Sequence, residues 1–284
     1  MPMILFKKAT DLTKYLKTIT GKGISTGFVP TMGALHAGHL SLIENSKEKT
    51  SVTIASIFIN PTQFNDPSDF AKYPVTLEKD ILALEKAGCD ALFLPSVQQI
   101  YPGGLADLPH FNLGYLETIL EGEHRPGHFQ GVCQVMSRLL EIVMPATLFL
   151  GRKDYQQCMV IRKLISLKEW KISLDIIPTL REPSGLAMSS RNMRLSERDK
   201  EKASAIYNAL QYLKEEIRPG DLSGYLLKAA AMIKEAGFEK TDYVRIAERD
   251  SLQPVINWNG EIPLVGLVAA YINGVRLIDN VTLR

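Results

Sequence analysis

The chain has 284 residues, 45% of them hydrophobic and 23% charged, with a formal net charge of +2. That length buries a sizeable core in one large or two ordinary domains, and the composition is that of a soluble globular protein. The near balance of charge argues against a nucleic-acid binder, which needs a broad basic field, while leaving room for a small local basic site. Three cysteines, Cys89, Cys133 and Cys158, form no Cys-x-x-Cys pair. They read as buried thiols of a reducing compartment. The opening residues carry a short apolar run and then lysines, which is neither a signal peptide nor an anchor. The apolar run 264–272 is too short to span a bilayer. The expectation is a cytoplasmic protein with no membrane partner.

Leu12, Tyr15, Leu16 and Ile19 recur at helical spacing, closed by Gly21. Residues 24–29 read as the first clear buried strand. The stretch Val29-Pro30-Thr31-Met32-Gly33-Ala34-Leu35-His36-Ala37-Gly38-His39-Leu40 follows, and it reads as strand, glycine-containing loop and helix start. Free backbone N–H groups and the positive end of the dipole at such a start favour phosphate. The spacing predicts a helix from about Ala37, with Leu40 and Ile43 on one face. His36 and His39 then share its first turn, and Gly38 lets a bulky group approach the backbone. An imidazole near half-titration donates to phosphate oxygens without permanently clamping a product. A metal would need a third ligand, and no Cys or His stands nearby. A lone histidine is usually a satisfied core or surface residue. With strand, glycines and helix all in place, a nucleotide site is favoured.

Residues 51–59 are β-branched and almost unbroken, as in a parallel strand covered on both faces. Pro61 stops that strand within Asn60-Pro61-Thr62-Gln63-Phe64-Asn65. Thr76 is the expected N-cap of a helix with Leu77, Ile81 and Leu84 inward and Gly88 just past its end. Residues 90–94 form a short strand, and 96–128 are loop-rich. Then come a helix carrying Val132, Val135, Met136, Leu139 and Leu140, a strand at 147–150, a helix at about 155–167 and a strand at 172–177. This alternation predicts an α/β fold, a Rossmann-like doubly wound parallel sheet with its ligand edge at the loops after the strands. The composition shifts near Glu182-Pro183-Ser184-Gly185, which sets domains of 1–182 and 183–284. In the second, Ser196 with Asp199 resembles a capping box before a long helix with Ala203, Ile206, Leu210, Leu213 and Ile217 inward. Pro219-Gly220 breaks it, and another helix runs over about 222–236. Strands near 243–247, 264–272 and 275–278 close the chain, the last two joined by the hairpin signal Asn273-Gly274. This is a smaller α+β C-terminal domain.

Four loops on the expected ligand edge carry polar chemistry. Asn60 and Gln63 follow the second strand. A glutamine amide both donates and accepts, so it suits a hydroxyl-bearing carboxylate without burying another charge. Gly151-Arg152-Lys153-Asp154-Tyr155-Gln156-Gln157 repeats the pattern of strand, glycine, cation and helix start. Lys153 is a mobile point charge there, and Gln157 one turn on can face the same cavity. Met188-Ser189-Ser190-Arg191-Asn192 reads as a phosphate clamp on a mobile loop. His128-Phe129-Gln130-Gly131 lines a second substrate pocket on this reading. Glu78 and Asp80 suit a hydrated magnesium held through nucleotide phosphates, although a solvated helix face is the commoner use of such a pair.

Four ordered blocks carry a family resemblance: residues 30–40, Phe58-Ile59-Asn60-Pro61-Thr62-Gln63-Phe64, Lys153-Asp154-Tyr155-Gln156-Gln157, and Gly185-Leu186-Ala187-Met188-Ser189-Ser190-Arg191-Asn192. Together they resemble the pantoate–β-alanine ligases over essentially the whole chain, whereas His-x-Gly-His alone marks a wider nucleotidyl-transferring superfamily. The resemblance implies two half-reactions. Pantoate carboxylate attacks the α-phosphate of Mg·ATP to give pantoyl adenylate and pyrophosphate, and the amine of β-alanine then displaces AMP. It implies an ATP- and pantoate-binding domain over 1–182 and a lid over 183–284. By position, the ATP contacts are Met32, Gly33, Ala34, Leu35, His36, Ala37, Gly38, His39, Gly151, Arg152, Lys153, Asp154, Leu180, Met188, Ser189, Ser190 and Arg191. His39, His36, Lys153 and Arg191 carry the catalysis, with His39 matching the proton donor. Gln63 and Gln157 match the pantoate ligands, Gln63 also meets β-alanine, and Asp80 resembles a magnesium-side acid. The resemblance also implies ATP as substrate with Mg²⁺, and a homodimer.

The chain departs from the family pattern at four places: Arg152 where Glu is common, Val75 where Arg is common, Gln130 where Arg is common, and Pro183-Ser184 where Asp precedes the glycine. None removes a phosphate-facing cation or a glutamine. Two other readings stand beside the ligase. One is a nucleotidylyltransferase, which joins AMP to a phosphorylated substrate and needs no amine site. The other is a non-catalytic ATP-binding module. A tRNA-charging enzyme is disfavoured by the lack of room for an anticodon domain and of a basic surplus.

Overall fold

Gly27 shows how tightly the larger part of the molecule is layered. In the computed structural model, which describes residues 2–64 and 70–283, a Cβ at Gly27 would lie 2.2 Å from Ser46 Oγ and 2.6 Å from Thr50 Oγ1. Those two hydroxyls belong to the helix Ala37–Lys49 and its C-cap. Glycine therefore lets this helix lie directly on the strand β2, Thr26–Thr31. The helix buries Leu42, Ile43 and Ser46, so its inner face is rotated from the expected Leu40 and Ile43 pair.

Six strands form one parallel sheet in the order β1-β4-β3-β2-β5-β6. Its members are β1 (Ile4–Phe6), β2, β3 (Val52–Ile57), β4 (Ala91–Phe93), β5 (Thr147–Gly151) and β6 (Ser173–Ile177). Phe28, Ile54, Leu92 and Phe149 are fully buried, as expected of strands with both faces covered. Pro30 is tolerated inside β2 because the pairing with β5 stops at Phe28, so no partner there waits for its missing N–H. Strand order runs from β2 through β3 and β4 to one side, and through β5 and β6 to the other. The switch point is therefore between β2 and β5, where such sheets bind ligands at the carboxyl ends.

The first clear buried strand, expected at 24–29, is β2, and an additional strand, β1, precedes it at the sheet edge. This strand is three residues long, with Ile4 and Leu5 exposed, so burial periodicity has nothing to report there. The chain divides into two compact units, Met1–Gly151 with Val160–Pro178, and Arg152–Met159 with Thr179–Arg284. The second unit thus includes the short Arg152–Asp154 turn and the start of the helix Tyr155–Leu167. Its three-stranded antiparallel sheet, β11-β10-β8, is built from β8 (Lys240–Glu248), β10 (Leu264–Ile272) and β11 (Val275–Thr282). Asn273 and Gly274 join the last two with φ of 49° and 68°, as a tight hairpin requires. The helices Glu197–Glu216 and Ser223–Glu235 contribute Ala203, Ile206, Leu210, Leu213 and Ile233 to the core that includes Val268 and Ile272. Ser196 Oγ accepts from Asp199 N–H, the expected cap. A two-stranded ribbon of β7 (Gly220–Asp221) and β9 (Asn257–Trp258) was not expected, being too short for any pattern. Among the described residues no helix is long and apolar enough to cross a membrane.

Candidate active site

The loop that leaves β2 contains two successive left-handed residues, Gly33 with φ 82° and Ala34 with φ 51°. For alanine that conformation costs about 1–2 kcal/mol, so something must hold it. Asp80 does so. Its Oδ2 accepts from Ala34 N–H and its Oδ1 from Leu35 N–H, both at 2.9 Å. Oδ1 also accepts from Thr76 Oγ1 at 3.0 Å. Thr76 stands at the expected N-cap, but its hydroxyl serves Asp80 and makes no cap bond to the backbone. Asp80 is only 3% exposed. Both oxygens are committed to the loop and its support, a task that the sequence reading did not assign. Gly33 N–H donates to Thr31 Oγ1, so three loop amides are used within the fold. The first amides of the helix, Ala37 and Gly38, lie outside this network.

His36 and His39 are brought together at that helix start, with ring centroids 4.1 Å apart. His36 N–H donates to Nδ1 of His39 at 3.4 Å. A ring nitrogen that accepts carries no proton, so the neutral His39 imidazole holds its hydrogen on Nε2 as a donor. From the next loop, Gln63 donates through Nε2 to Met32 Sδ, which joins the loops after β2 and β3. Gln63 ends a turn of 3₁₀ helix, Pro61–Gln63, capped by Asn60. Asn60 is buried; it accepts from Tyr101 Oη at 2.9 Å and donates to the Gly131 carbonyl at 3.1 Å. His128 lies with Nδ1 2.8 Å from the Gln63 carbonyl. Gly131 allows the close approach, since a Cβ there would lie 2.2 Å from the Thr62 oxygen. The segment His128–Gly131 is therefore packed on the Gln63 turn itself. Asn65 lies outside the described residues.

In the second unit, Lys153 and Asp154 stand side by side, Nζ to Oδ1 at 3.4 Å. Gln157 is half-buried one turn on, while Gln156 beside it is buried. The carbonyls of Arg152 and Lys153 both accept from Asn280 Nδ2. Arg181 makes a two-pronged pair with Asp279, Nη1 to Oδ2 at 2.5 Å and Nη2 to Oδ1 at 3.0 Å, and lies over the Tyr207 ring. Burial pushes the Asp279 carboxyl above the usual carboxylate range, against the pull of that guanidinium. Arg181 also donates to the Gly185 carbonyl. Gly185, at φ 89°, has no room for a Cβ, which would strike the Tyr207 ring. Ser189 caps the turn Ser190–Arg194 by accepting from Arg191 N–H, so this hydroxyl serves the backbone. Asn192 ties the turn to Glu182 and to the Ala187 carbonyl. Leu180 is 40% exposed.

The four departures find physical accounts of different weight. Gln130 grips the Phe111 backbone through both N–H and carbonyl and donates to Glu117. Ser184 Oγ accepts from Leu186 N–H, the service an aspartate performs in such a turn. Val75 is exposed, so nothing is buried without a partner there. Nothing in the structure explains the choice of arginine at Arg152. Asp279, Asn280, Arg181 and Tyr101 went unnoticed in the sequence. The one visible signal was two adjacent polar residues, Asp279-Asn280, in an otherwise alternating strand.

A doubly wound parallel sheet whose switch-point loop presents paired histidines at a helix start defines a nucleotide-handling enzyme of the Rossmann-like α/β class. The chain belongs to the pantoate–β-alanine ligase family, whose model, described as Pantoate-beta-alanine ligase, matches residues 4–282. It is 42% identical to the pantothenate synthetase of Cytophaga hutchinsonii over 283 residues, 99% of each chain. It is 40% identical to that of Bacteroides thetaiotaomicron, over 95% of each. The crystal structure of pantothenate synthetase from Thermus thermophilus superposes with a TM-score of 0.86 at 36% identity, covering 98% of this chain and 99% of that one. The ligase from Francisella tularensis, complexed with Beta-gamma ATP and Beta-alanine, gives 0.81 at 39% identity, covering 99% and 97%.

Proposed function

We propose that this chain is an ATP-dependent ligase that joins pantoate to β-alanine through a pantoyl adenylate, releasing pyrophosphate and AMP. One observation carries the reading: the family match runs over residues 4–282 and takes in every segment that bears a candidate residue. In the first half-reaction the pantoate carboxylate oxygen bonds to the α-phosphorus and the bond to pyrophosphate breaks. Negative charge moves onto the departing group, so donors already in place there lower the barrier. The proposed donors are Nε2–H of His39, His36, the first amides of the helix Ala37–Lys49, Lys153 and Arg191. Gln63 and Gln157 are the proposed amide ligands of pantoate, and Gln63 also of β-alanine. In the second half-reaction the amine attacks the acyl carbon and AMP leaves with the bridging oxygen. No side chain of the protein becomes covalently attached.

Magnesium on this reading travels with the nucleotide as Mg·ATP, and Asp80 acts through the loop that it braces. Support for this is the commitment of both its oxygens to Ala34, Leu35 and Thr76. Cytoplasmic location and a homodimer complete the proposal, both resting on the family. The test is conversion of ATP to AMP with pantoate, with and without β-alanine. The ligase requires stoichiometric amide product and AMP release that depends on β-alanine. AMP transfer to a phosphorylated acceptor without any amine would point to a nucleotidylyltransferase, and ATP binding without pantoate-dependent pyrophosphate would point to a non-catalytic module.

A further inference from the structure

Asn280 lies near the end of β11 with 2% of its surface exposed. Its side-chain Nδ2 donates to two successive main-chain carbonyls, those of Arg152 and Lys153, each at 2.9 Å. A primary amide has two N–H donors, and here both are spent on one short stretch of backbone. That stretch lies 127 and 128 residues away in the chain, within the same compact unit. In a trans peptide the carbonyl and the following N–H point in opposite directions. Gripping the Arg152 carbonyl therefore also turns the Lys153 amide away from β11. The neighbouring Asp279 stiffens the grip, since its Oδ1 accepts from Asn280 N–H at 2.8 Å while the carboxylate is locked to Arg181.

We propose that Asn280 is a positioning residue for adenylate formation: its amide fixes the Arg152-Lys153 backbone so that the Lys153 ammonium meets the developing charge of the departing pyrophosphate. The proposal rests on the functional reading above, because it needs Lys153 in the first half-reaction. A neutral amide suits the task. It satisfies two carbonyl oxygens without adding a negative charge. Because the grip is on main chain, it is indifferent to the side chain at Arg152.

The test compares Asn280→Leu, close in size but without donors, and Asn280→Asp, of the same shape with acceptors facing the two carbonyls. Each is measured as the full-length chain beside Lys153→Ala and the double variant Asn280→Leu/Lys153→Ala. Pantoate-dependent pyrophosphate release should fall about 10²-fold in both single Asn280 variants, the loss expected when a transition-state group is misplaced by an ångström. The double variant should be no slower than Lys153→Ala alone, since the anchor acts through that lysine. Aminolysis of supplied pantoyl adenylate by β-alanine should change less than threefold. A double variant well below Lys153→Ala, an equal loss in both half-reactions, or failure of both Asn280 variants to fold would overturn the proposal. Pantoate-dependent pyrophosphate release by the unchanged chain, and its loss in Lys153→Ala, test the functional reading separately.

Discussion

In the larger unit the loop after β2 is held by an acceptor, the Asp80 carboxylate, whereas in the smaller unit the segment Arg152–Lys153 is held by a donor, the Asn280 amide. The two solutions leave different groups for a ligand. A carboxylate that takes up the Ala34 and Leu35 amides removes them from anion binding and leaves the imidazoles and the first helix amides. An amide that takes up two carbonyls satisfies those oxygens and holds the backbone that carries Lys153, whose ammonium stands beside Asp154. The first anchor holds a strained loop, and the second holds the backbone from which the Lys153 side chain projects. Both come from distant parts of the chain, one helix and one strand, so each loop is only as ordered as the core behind its anchor.

The largest expected effect separates the groups from their anchors. Lys153→Ala and His39→Ala should each lower pantoate-dependent pyrophosphate release by about 10²–10³-fold, the usual loss of one transition-state donor. Near-normal release by either variant would remove that residue from the proposed chemistry. Next comes the carboxylate anchor. Asp80→Asn keeps the shape but turns an N–H donor toward the loop amides. Leaving buried backbone groups unpaired should cost about 1–3 kcal/mol, read as a lower midpoint in urea with an unchanged slope. The same variant should raise the KM for ATP, whereas a change confined to the pantoate KM would place Asp80 in another role. Gly33→Ala should cost about 1–2 kcal/mol, because φ is 82° and the new Cβ would lie 3.1 Å from Asp80 Oδ2. Because Asp80 holds the loop that Gly33 shapes, Gly33→Ala and Asp80→Asn should be non-additive.

Much of the fold was legible. The unbroken β-branched run at 51–59, the helical spacing of Leu12, Tyr15, Leu16 and Ile19, and Asn273-Gly274 each report one dominant local force, and the structure follows all three. The edge strand β1 was not legible, because a strand exposed on its outer side has no periodicity to display. The loops of the candidate site stood out by residue type, since glycine, histidine and lysine next to strand ends are chemically distinctive. Their anchors did not. Asp80 reads as one more charged residue on a helix face, and Asn280 as a polar position in a strand. Only tertiary folding brings them 46 and 127 residues along the chain to their partners. Thr76 shows the same limit, with its position anticipated and its hydroxyl bonded elsewhere.

Smaller effects sharpen the picture of the supporting shell. Tyr101→Phe removes the 2.9 Å bond to Asn60 and should cost about 1 kcal/mol in chemical unfolding, with little change in the pyrophosphate assay if Asn60 keeps its bond to Gly131. Burial pushes the thiols of Cys89 and Cys133 up to about 12, so at pH 8 the thiolate fraction is negligible. The native chain should leave both unalkylated by iodoacetamide until it is unfolded, and rapid native labelling at either would contradict the packing behind the sheet.

Adenylation is defined by which atoms it joins. With both carboxylate oxygens of pantoate labelled by oxygen-18, the full reaction should place one label in AMP and keep the other in the amide carbonyl of the product. Label in inorganic phosphate or pyrophosphate, or none in AMP, would contradict attack at the α-phosphorus and with it the role given to every donor described above.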